Sequence, residues 1–345
     1  MTGAVVEILT SGVALGVHVP GLLLADRIRE QGGTAYVSVL ERLMPPQTLE
    51  TTARSKQAFH RDFRVALAGQ KLARNAAVSV DPAAVDQLFA DWQRRGITRF
   101  VVLSGFWLTL LEQYVAKHGP VAVDVCHVDS VRSPSFDKAG ATSLPLRHVW
   151  LADADGGGVP CSIPVTRDAP VPWAERDRRL LVHGGGWGMG TYRERAGELL
   201  SVGFELDVIA YEQGDLSTSG VRYFMIDPDW HPWLDDGYPP FGPAGQGFVQ
   251  RTGHHGSFDL CRQALASVSK PGGGTLLDSL WSATPLVLLE PFGAHERRNA
   301  DLWISLGYGI SFEDWQRKDF AVEVLEELHT ALLAADVPDY SKELL

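Results

Sequence analysis

Cysteine is scarce in this chain: among 345 residues there are three, Cys126, Cys161 and Cys261. They are far apart, odd in number and show no CxxC spacing, so neither a disulfide framework nor a zinc site is indicated. Long apolar runs are missing as well, and nothing approaches the roughly 20 residues that a membrane span needs. The opening residues, MTGAVVEILTSG, carry no basic stretch ahead of an apolar one and read as a strand rather than a signal peptide. A reduced cytoplasm is the expected setting. Positive charge is also short, with 31 Lys and Arg against 42 Asp and Glu, a formal net charge of −11. That balance speaks against the basic face of a nucleic-acid binder and against a basic surface docked on anionic lipid. An anionic ligand would have to be held by local groups. No fixed-period repeat and no low-complexity tract is present.

What the chain does have is an ordinary globular composition, 45% hydrophobic and 21% charged, at a length that suits two domains. Continuous apolar runs at 4–10, 34–40, 99–104, 121–126 and 148–152 alternate with helical patterns such as 21–31 and 82–95. Such alternation predicts parallel βαβ units with helices on both faces of the sheet. It stops over 153–178, rich in Pro, Gly and charge, and restarts with runs at 178–186, 205–211, 221–226, 265–269 and 284–290. The reading is an α/β protein: a first domain over 1–160, a linker at 161–174, a second domain over 175–320, and a final helical segment, 321–345, returning to the first domain. The stretch 227–247, DPDWHPWLDDGYPPFGPAGQG, is read as a polar loop outside the core.

In open α/β sheets, ligands bind beyond the carboxyl ends of the strands, and three strand-to-helix loops stand out. The first, residues 10–33, carries Gly12, Gly16 and His18 ahead of a helix expected to open near Pro20. His18 there suits a general base, or is a loop histidine without a role. The second follows the run LLVHGGGWGMG: Gly185 and Gly186 and their neighbours let backbone N–H groups approach a phosphate, and Trp187 is placed to stack on a ligand or to pack. The strict GxGxxG spacing is absent, and so is the lysine of a P-loop. The third is KPGGGTLLDSLWSATPLVLLEPFGAHERRNA, residues 270–300. Gly272, Gly273 and Gly274 open a helix whose positive end favours an anion, and Lys270 adds charge. Thr275 and Asp278 fit a capping box, or Asp278 accepts hydrogen bonds from ribose hydroxyls. The next strand leads to His295, Glu296 and Asn299 at the start of another helix.

The segments GVHVPGLLLADRIREQG near the N-terminus and KPGGGTLLDSLWSATPLVLLEPFGAHERRNA near the C-terminus resemble GT-B glycosyltransferases. The likeness is to the group of peptidoglycan N-acetylglucosaminyltransferases, glycolipid synthases and macrolide-type transferases. It implies two Rossmann-like domains facing each other across a cleft, the second binding a nucleoside diphosphate sugar and the first presenting the acceptor. By resemblance, Gly272 to Thr275 face the diphosphate and Asp278, in place of the usual Glu, binds the ribose. His295 and Glu296 stand where an acidic–amide pair holds the donor sugar, with Asn299 following, and the base falls in 248–254 with Phe248 and Val249. His18 matches the loop histidine taken as base. Asp129, in CHVDS, is the candidate to orient it, with Ser130, Gly12 and Gly16 on the acceptor side.

The expected chemistry is a direct, inverting displacement with uridine as the commonest donor base, no cofactor, no metal, and a small soluble acceptor such as a natural-product intermediate; a homodimer is compatible with it. The main alternative is a nucleotide-sugar hydrolase on the same fold, in which the histidine activates water. A dehydrogenase has the wrong glycine spacing and leaves 270–300 unexplained. A sugar-nucleotide sensor would have no use for His18.

Overall fold

The computed structural model describes residues 5–13, 15–72, 76–216 and 219–345. Two sheets organise it. The first holds β1 (Val5–Thr10), β2 (Thr34–Val39), β3 (Arg99–Val102), β4 (Ala122–His127) and β5 (Leu146–Trp150), all parallel in the order β2-β1-β3-β4-β5. The second holds β6 (Arg179–His183), β7 (Glu205–Ala210), β8 (Val221–Ile226), β9 (Phe241–Pro243), β10 (Ala266–Ser269), β11 (Leu286–Leu288) and β12 (Gly309–Ser311), in the order β12-β11-β10-β6-β7-β8-β9. Only β9 runs antiparallel, against β8. The central strands are buried on both faces, which is why they read as unbroken apolar runs.

The helices of the first half are α1 (Leu15–Glu30), α2 (Pro46–Arg61), α3 (Phe63–Leu72), α4 (Pro82–Arg95), α5 (Leu108–His118) and α6 (Pro134–Ala139). Those of the second are α7 (Tyr192–Ser201), α8 (Ser257–Gln263), α9 (Gly273–Ser282), α10 (Ala294–Ser305), α11 (Phe312–Arg317) and α12 (Val322–Leu333). Local chemistry sets several ends. Asp81 accepts from the Ala83 N–H with Pro82 at the first helical position of α4, and Gly96 closes it in the left-handed region.

The proline-rich stretch 153–178, read as containing the linker, is packed against its surroundings: Ile163 and Val165 are fully buried. Buried Arg176 donates to the carbonyls of Val171, Ala264 and Ser282 and to the Thr284 hydroxyl, tying the segment to the second sheet. The stretch 227–247, read as loop, contains β9 and sends Tyr238 and Phe241 into a core shared by both halves. The C-terminal turn Tyr340–Leu344 packs on the first sheet, where the Tyr340 hydroxyl donates to Asp124 Oδ2 at 3.0 Å. Among the described residues, no helix is long and apolar enough to cross a membrane.

Candidate active site

The carboxyl ends of both sheets face one cavity of about 1000 Å³, lined from the first half by Val17, Met44, Phe59 and Asp129 and from the second by both glycine loops. The volume sits at the upper end of small-molecule sites, roughly 300–1,000 Å³. The two halves meet closely here: a Cβ on Gly274, in the first turn of α9, would stand 3.5 Å from the Cα of Gly16 in α1.

The loop after β6 turns through Gly185 and Gly188, both at positive φ. A Cβ on Gly188 would overlap Tyr211 at 2.3 Å and the His60 ring at 2.6 Å, so only glycine fits that crossing. Trp187 lines the cavity, donates its indole N–H to the Val13 carbonyl and lies 5.7 Å from the Phe59 ring, so it bridges the halves. Lys270, at the end of β10, lies between the two glycine loops. Cβ atoms on Gly185 and Gly272 would meet its Cε at 3.1 Å and its Nζ at 3.3 Å. Its ammonium is buried and paired with Glu296, whose other oxygen accepts from the Phe292 N–H at 2.6 Å. Glu296 therefore fixes the lysine and the β11–α10 turn while remaining in the cavity lining. His295 and Thr275 both line the cavity.

Asp278, one turn into α9, also lines it, and Thr275 does not cap the helix; the N-cap is Gly272. The capping-box reading fails because the helix starts at Gly273, two residues ahead of Thr275. Instead Asp278 Oδ1 lies 3.0 Å from His255 Nε2, and His255 Nδ1 lies 2.9 Å from the Ser257 hydroxyl. Burial opposes charge on His255, but the Asp278 carboxylate raises its proton affinity above the ordinary histidine value. His183, last residue of β6, accepts from the Gly185 N–H on Nδ1 at 3.2 Å and lies 3.1 Å from the Ser267 hydroxyl on Nε2. That contact assigns the neutral Nε2–H tautomer, and burial pushes the ring's pKa down to about 4. Neither histidine was singled out from the sequence, although His183 directly precedes the glycine run. Phe248 and Val249 are outside the cavity lining, with Val249 64% exposed, because Val249 pairs with Phe241 at the sheet edge. His255, Gly256 and Ser257 take that stretch of wall.

The expected pairing of Asp129 with His18 does not form. Asp129 Oδ1 accepts from the Gly273 N–H at 3.2 Å and from Asn299 Nδ2 at 2.8 Å. Asn299, fully buried, also donates to the Pro271 carbonyl and accepts from the Ser130 N–H at 2.7 Å. Asn299 and Ser130 thus latch the β4 loop onto α9 and take no part in the lining. His18 is not in a loop: α1 begins at Leu15 and holds Pro20 inside it. Gly16 and Pro20 line the cavity, and His18 lies two residues from each, about 200° round the helix. It is 1% exposed, with Nδ1 3.1 Å from the Thr10 hydroxyl and Nε2 without a hydrogen-bond partner among the described residues, and burial lowers its pKa to about 4. Its ring is 6.3 Å from Trp230, carried over from the second half. Gly12 does not line the cavity either; its N–H donates to Glu41 Oε2 at 2.6 Å, and Pro232 packs on it.

His60, at the end of α2, clamps the halves. Nδ1 is 2.7 Å from the Gly188 carbonyl and Nε2 3.1 Å from Asp215 Oδ2. His60, Glu212 and Asp215 bring ligand atoms within 4.8 Å of one another. Arg61 and Arg193 hold the two carboxylates at 2.9 and 3.1 Å, so the group is an ion-pair clamp.

Among solved structures, the chain is similar to the Streptomyces sp. SF2575 glycosyltransferase SsfS6 complexed with thymidine diphosphate, with TM-score 0.58 and 15% identity over 99% of this chain and 98% of that one. It is similar to Acinetobacter baumannii MurG, with TM-score 0.56 and 11% identity over 99% and 97%. It is also similar to the glycosyltransferase SnogD of Streptomyces nogalater, with TM-score 0.55 and 16% identity over 99% and 98%. At such identities the likeness is one of fold, and the fold is GT-B. No family model matches the chain, and no curated protein sequence does.

Proposed function

We propose that the protein is a glycosyltransferase that moves a sugar from a nucleoside diphosphate sugar, held by the second half, to a small soluble acceptor held by the first. One observation carries this reading. Lys270 stands between two glycine loops, each leading into a helix, with Asp278 further along the same helix and another domain across a shared cavity. A diphosphate between those loops meets N–H groups, the positive end of α9 and an ammonium, the groups that stabilise a leaving anion. In this reading they take the part a divalent cation plays elsewhere. The thymidine diphosphate bound by SsfS6 supports a pyrimidine nucleotide, so uridine and thymidine donors come first.

An acceptor lying against Val17, Met44, Phe59 and the hydroxyls of Thr48, Thr51 and Thr52 approaches from the side opposite the diphosphate, which makes direct displacement with inversion the expected course. The base role passes from His18 to Asp129, the member of the expected pair that reaches the cavity. Its Oδ1 is committed to the latch, and Oδ2 accepts no hydrogen bond among the described residues.

Purified protein incubated with a panel of nucleoside diphosphate sugars, with and without candidate acceptors, tests the reading through release of free nucleoside diphosphate. Release that depends on an acceptor, unaffected by EDTA, is expected; rapid release without acceptor makes the protein a hydrolase. Asp129→Asn keeps an oxygen for Gly273 and Asn299 while removing the base. It should lower kcat by 10²–10⁴-fold with donor Kd unchanged or lower, because the neutral amide competes less with an anion for the Gly273 N–H. An unchanged kcat would return Asp129 to a structural role.

A further inference from the structure

The Asp, Glu and Lys side chains that reach the cavity are Glu41, Asp129, Lys138, Lys270, Asp278 and Glu296. All but one are met by the protein itself. Glu41 accepts from Ser11 Oγ and two backbone N–H groups, and Asp129 from Gly273 and Asn299. Asp278 pairs with His255, and Glu296 with Lys270. The exception is Lys138, partly buried on the first-half side in α6. Among the described residues its ammonium has no carboxylate partner and donates one hydrogen bond, to the Gln70 carbonyl of α3 at 3.0 Å. An ammonium carries three protons, so two remain. One turn earlier on the same helix face is Ser135, with Ser133 beside it, and both line the cavity. Ser135 Oγ accepts from the Gly105 N–H at 3.1 Å, the two hydroxyls lie 2.9 Å apart, and Ser133 makes no side-chain cap bond. Their mutual bond uses one hydroxyl proton whichever residue donates, which leaves the other free. The patch thus offers donor protons and one uncompensated positive charge. A neutral ligand would leave that charge covered and unpaired, at a cost; a monoanion accepts from all of these groups.

Resting on the reading of the first half as the acceptor side, we infer that Lys138, with Ser133 and Ser135, binds a carboxylate on the acceptor, so that the acceptor is a hydroxy acid. Asp129 sits on the same loop ahead of α6, and an acceptor anchored at Lys138 is held on the segment that also carries the base. In the transfer, the acceptor's hydroxyl oxygen bonds to the anomeric carbon, its proton passes to Asp129, and the nucleoside diphosphate leaves with the electrons of the broken bond. Lys138 sets which acceptors the site admits and takes no part in the displacement.

The test is titration calorimetry of the UDP-saturated chain with matched pairs that differ only in this group: 4-hydroxybenzoate and 4-hydroxybenzamide, 6-hydroxy-2-naphthoate and its primary amide. The wild type should bind the acid of at least one pair about tenfold or more tightly than the amide, the size of a charge-assisted hydrogen bond. Lys138→Met should bring that ratio near one and Lys138→Arg should keep it. UDP affinity should stay within about threefold in both variants, which shows that they are folded. A wild type that binds no acid, or binds acid and amide alike, overturns the inference. So does a Lys138→Met protein that keeps the preference. If Lys138→Met instead weakens UDP-glucuronate relative to UDP-glucose, the anion belongs to the donor and the acceptor assignment falls. A wild type that does not bind UDP overturns the donor-site reading and this inference with it, and is recognised before any acceptor is added.

Discussion

Removing Lys270 should separate what it does for the fold from what it does for the ligand. The Lys270 and Glu296 side chains are 9% and 4% exposed, and Glu296 is otherwise held by one backbone N–H, from Phe292. Lys270→Ala leaves that carboxylate buried without its cation, which costs about 3–5 kcal/mol. Lys270→Met with Glu296→Gln restores the volume, removes both charges and keeps an acceptor for Phe292. It should recover to within about 1–2 kcal/mol of the wild type, in line with the near-neutral replacement of buried ion pairs. Diphosphate binding should follow another pattern. A charge-assisted contact is worth about 1.5–3 kcal/mol, so UDP affinity should fall about 10–150-fold in the single and the double variant alike. Uridine, which has no phosphate, should bind each folded protein equally. Urea unfolding gives the first set of numbers and titration calorimetry with UDP and uridine the second. A double variant that regains both stability and UDP affinity would make Lys270 a purely structural residue and remove the observation on which the functional proposal stands.

Two further predictions concern packing. Buried His18 has a folded-state pKa of about 4 against an ordinary value near 6.5. The unfolded chain therefore takes up its proton first, and stability is lost as pH falls from about 6.5 to about 4, by up to about 3 kcal/mol for this residue. A Tm series from pH 7 to pH 4.5 should fall more steeply for the wild type than for His18→Gln; parallel curves would mean that His18 is hydrated in solution. Gly273→Ala would set a Cβ 2.7 Å from the Val128 carbonyl oxygen, forcing the β4 loop off α9 and breaking the Asp129 contact. The two halves should separate, with a larger radius of gyration by small-angle X-ray scattering and a stability cost of about 1–3 kcal/mol. An unchanged radius would mean that the shared core and the His60 and Trp187 contacts hold the cleft closed without the Asp129 latch.

The strands were legible because burial on both faces leaves an uninterrupted apolar run, and β1, β4, β6 and β10 fall where such runs were read. The glycine loops were legible for a related reason: a turn that opens a helix is specified within a few residues. What sequence reading missed was set by residues distant along the chain. The start of α1 was placed near Pro20 because proline favours a first turn. The helix instead opens at Leu15, preceded by a turn that Glu41 holds through Ser11 Oγ at 2.6 Å, Gly12 N at 2.6 Å and Val13 N at 3.3 Å. That partner is some 30 residues away, and no local pattern announces it. Moving the helix start changes which side chains face the cavity, because each residue advances the helix by about 100°. Gly16, Val17 and Pro20 therefore line the site while His18 does not.

The same reasoning accounts for the polar residues around α9. Glu296 and Asn299 carry the composition of a sugar-binding turn, but both already pair within the protein, with Lys270 on β10 and Asp129 beyond β4; Asn299 lies outside the cavity lining and Glu296 stays in it. His255 was passed over because a histidine in a polar loop has no periodic signature; its meaning comes from Asp278, 23 residues later. In each case residue type bore on the chemistry, while the partner decided whether the group was left for a ligand. The Asp129 contact extends this to the cleft itself. The Gly273 N–H that would face a diphosphate already meets a carboxylate from the opposite half, so an anionic donor must compete with Asp129 for the start of α9. Donor binding and the spacing of the two halves are thereby coupled through one hydrogen bond. Weakening the latch from the Asn299 side should then tighten nucleoside diphosphate binding even as it loosens the cleft.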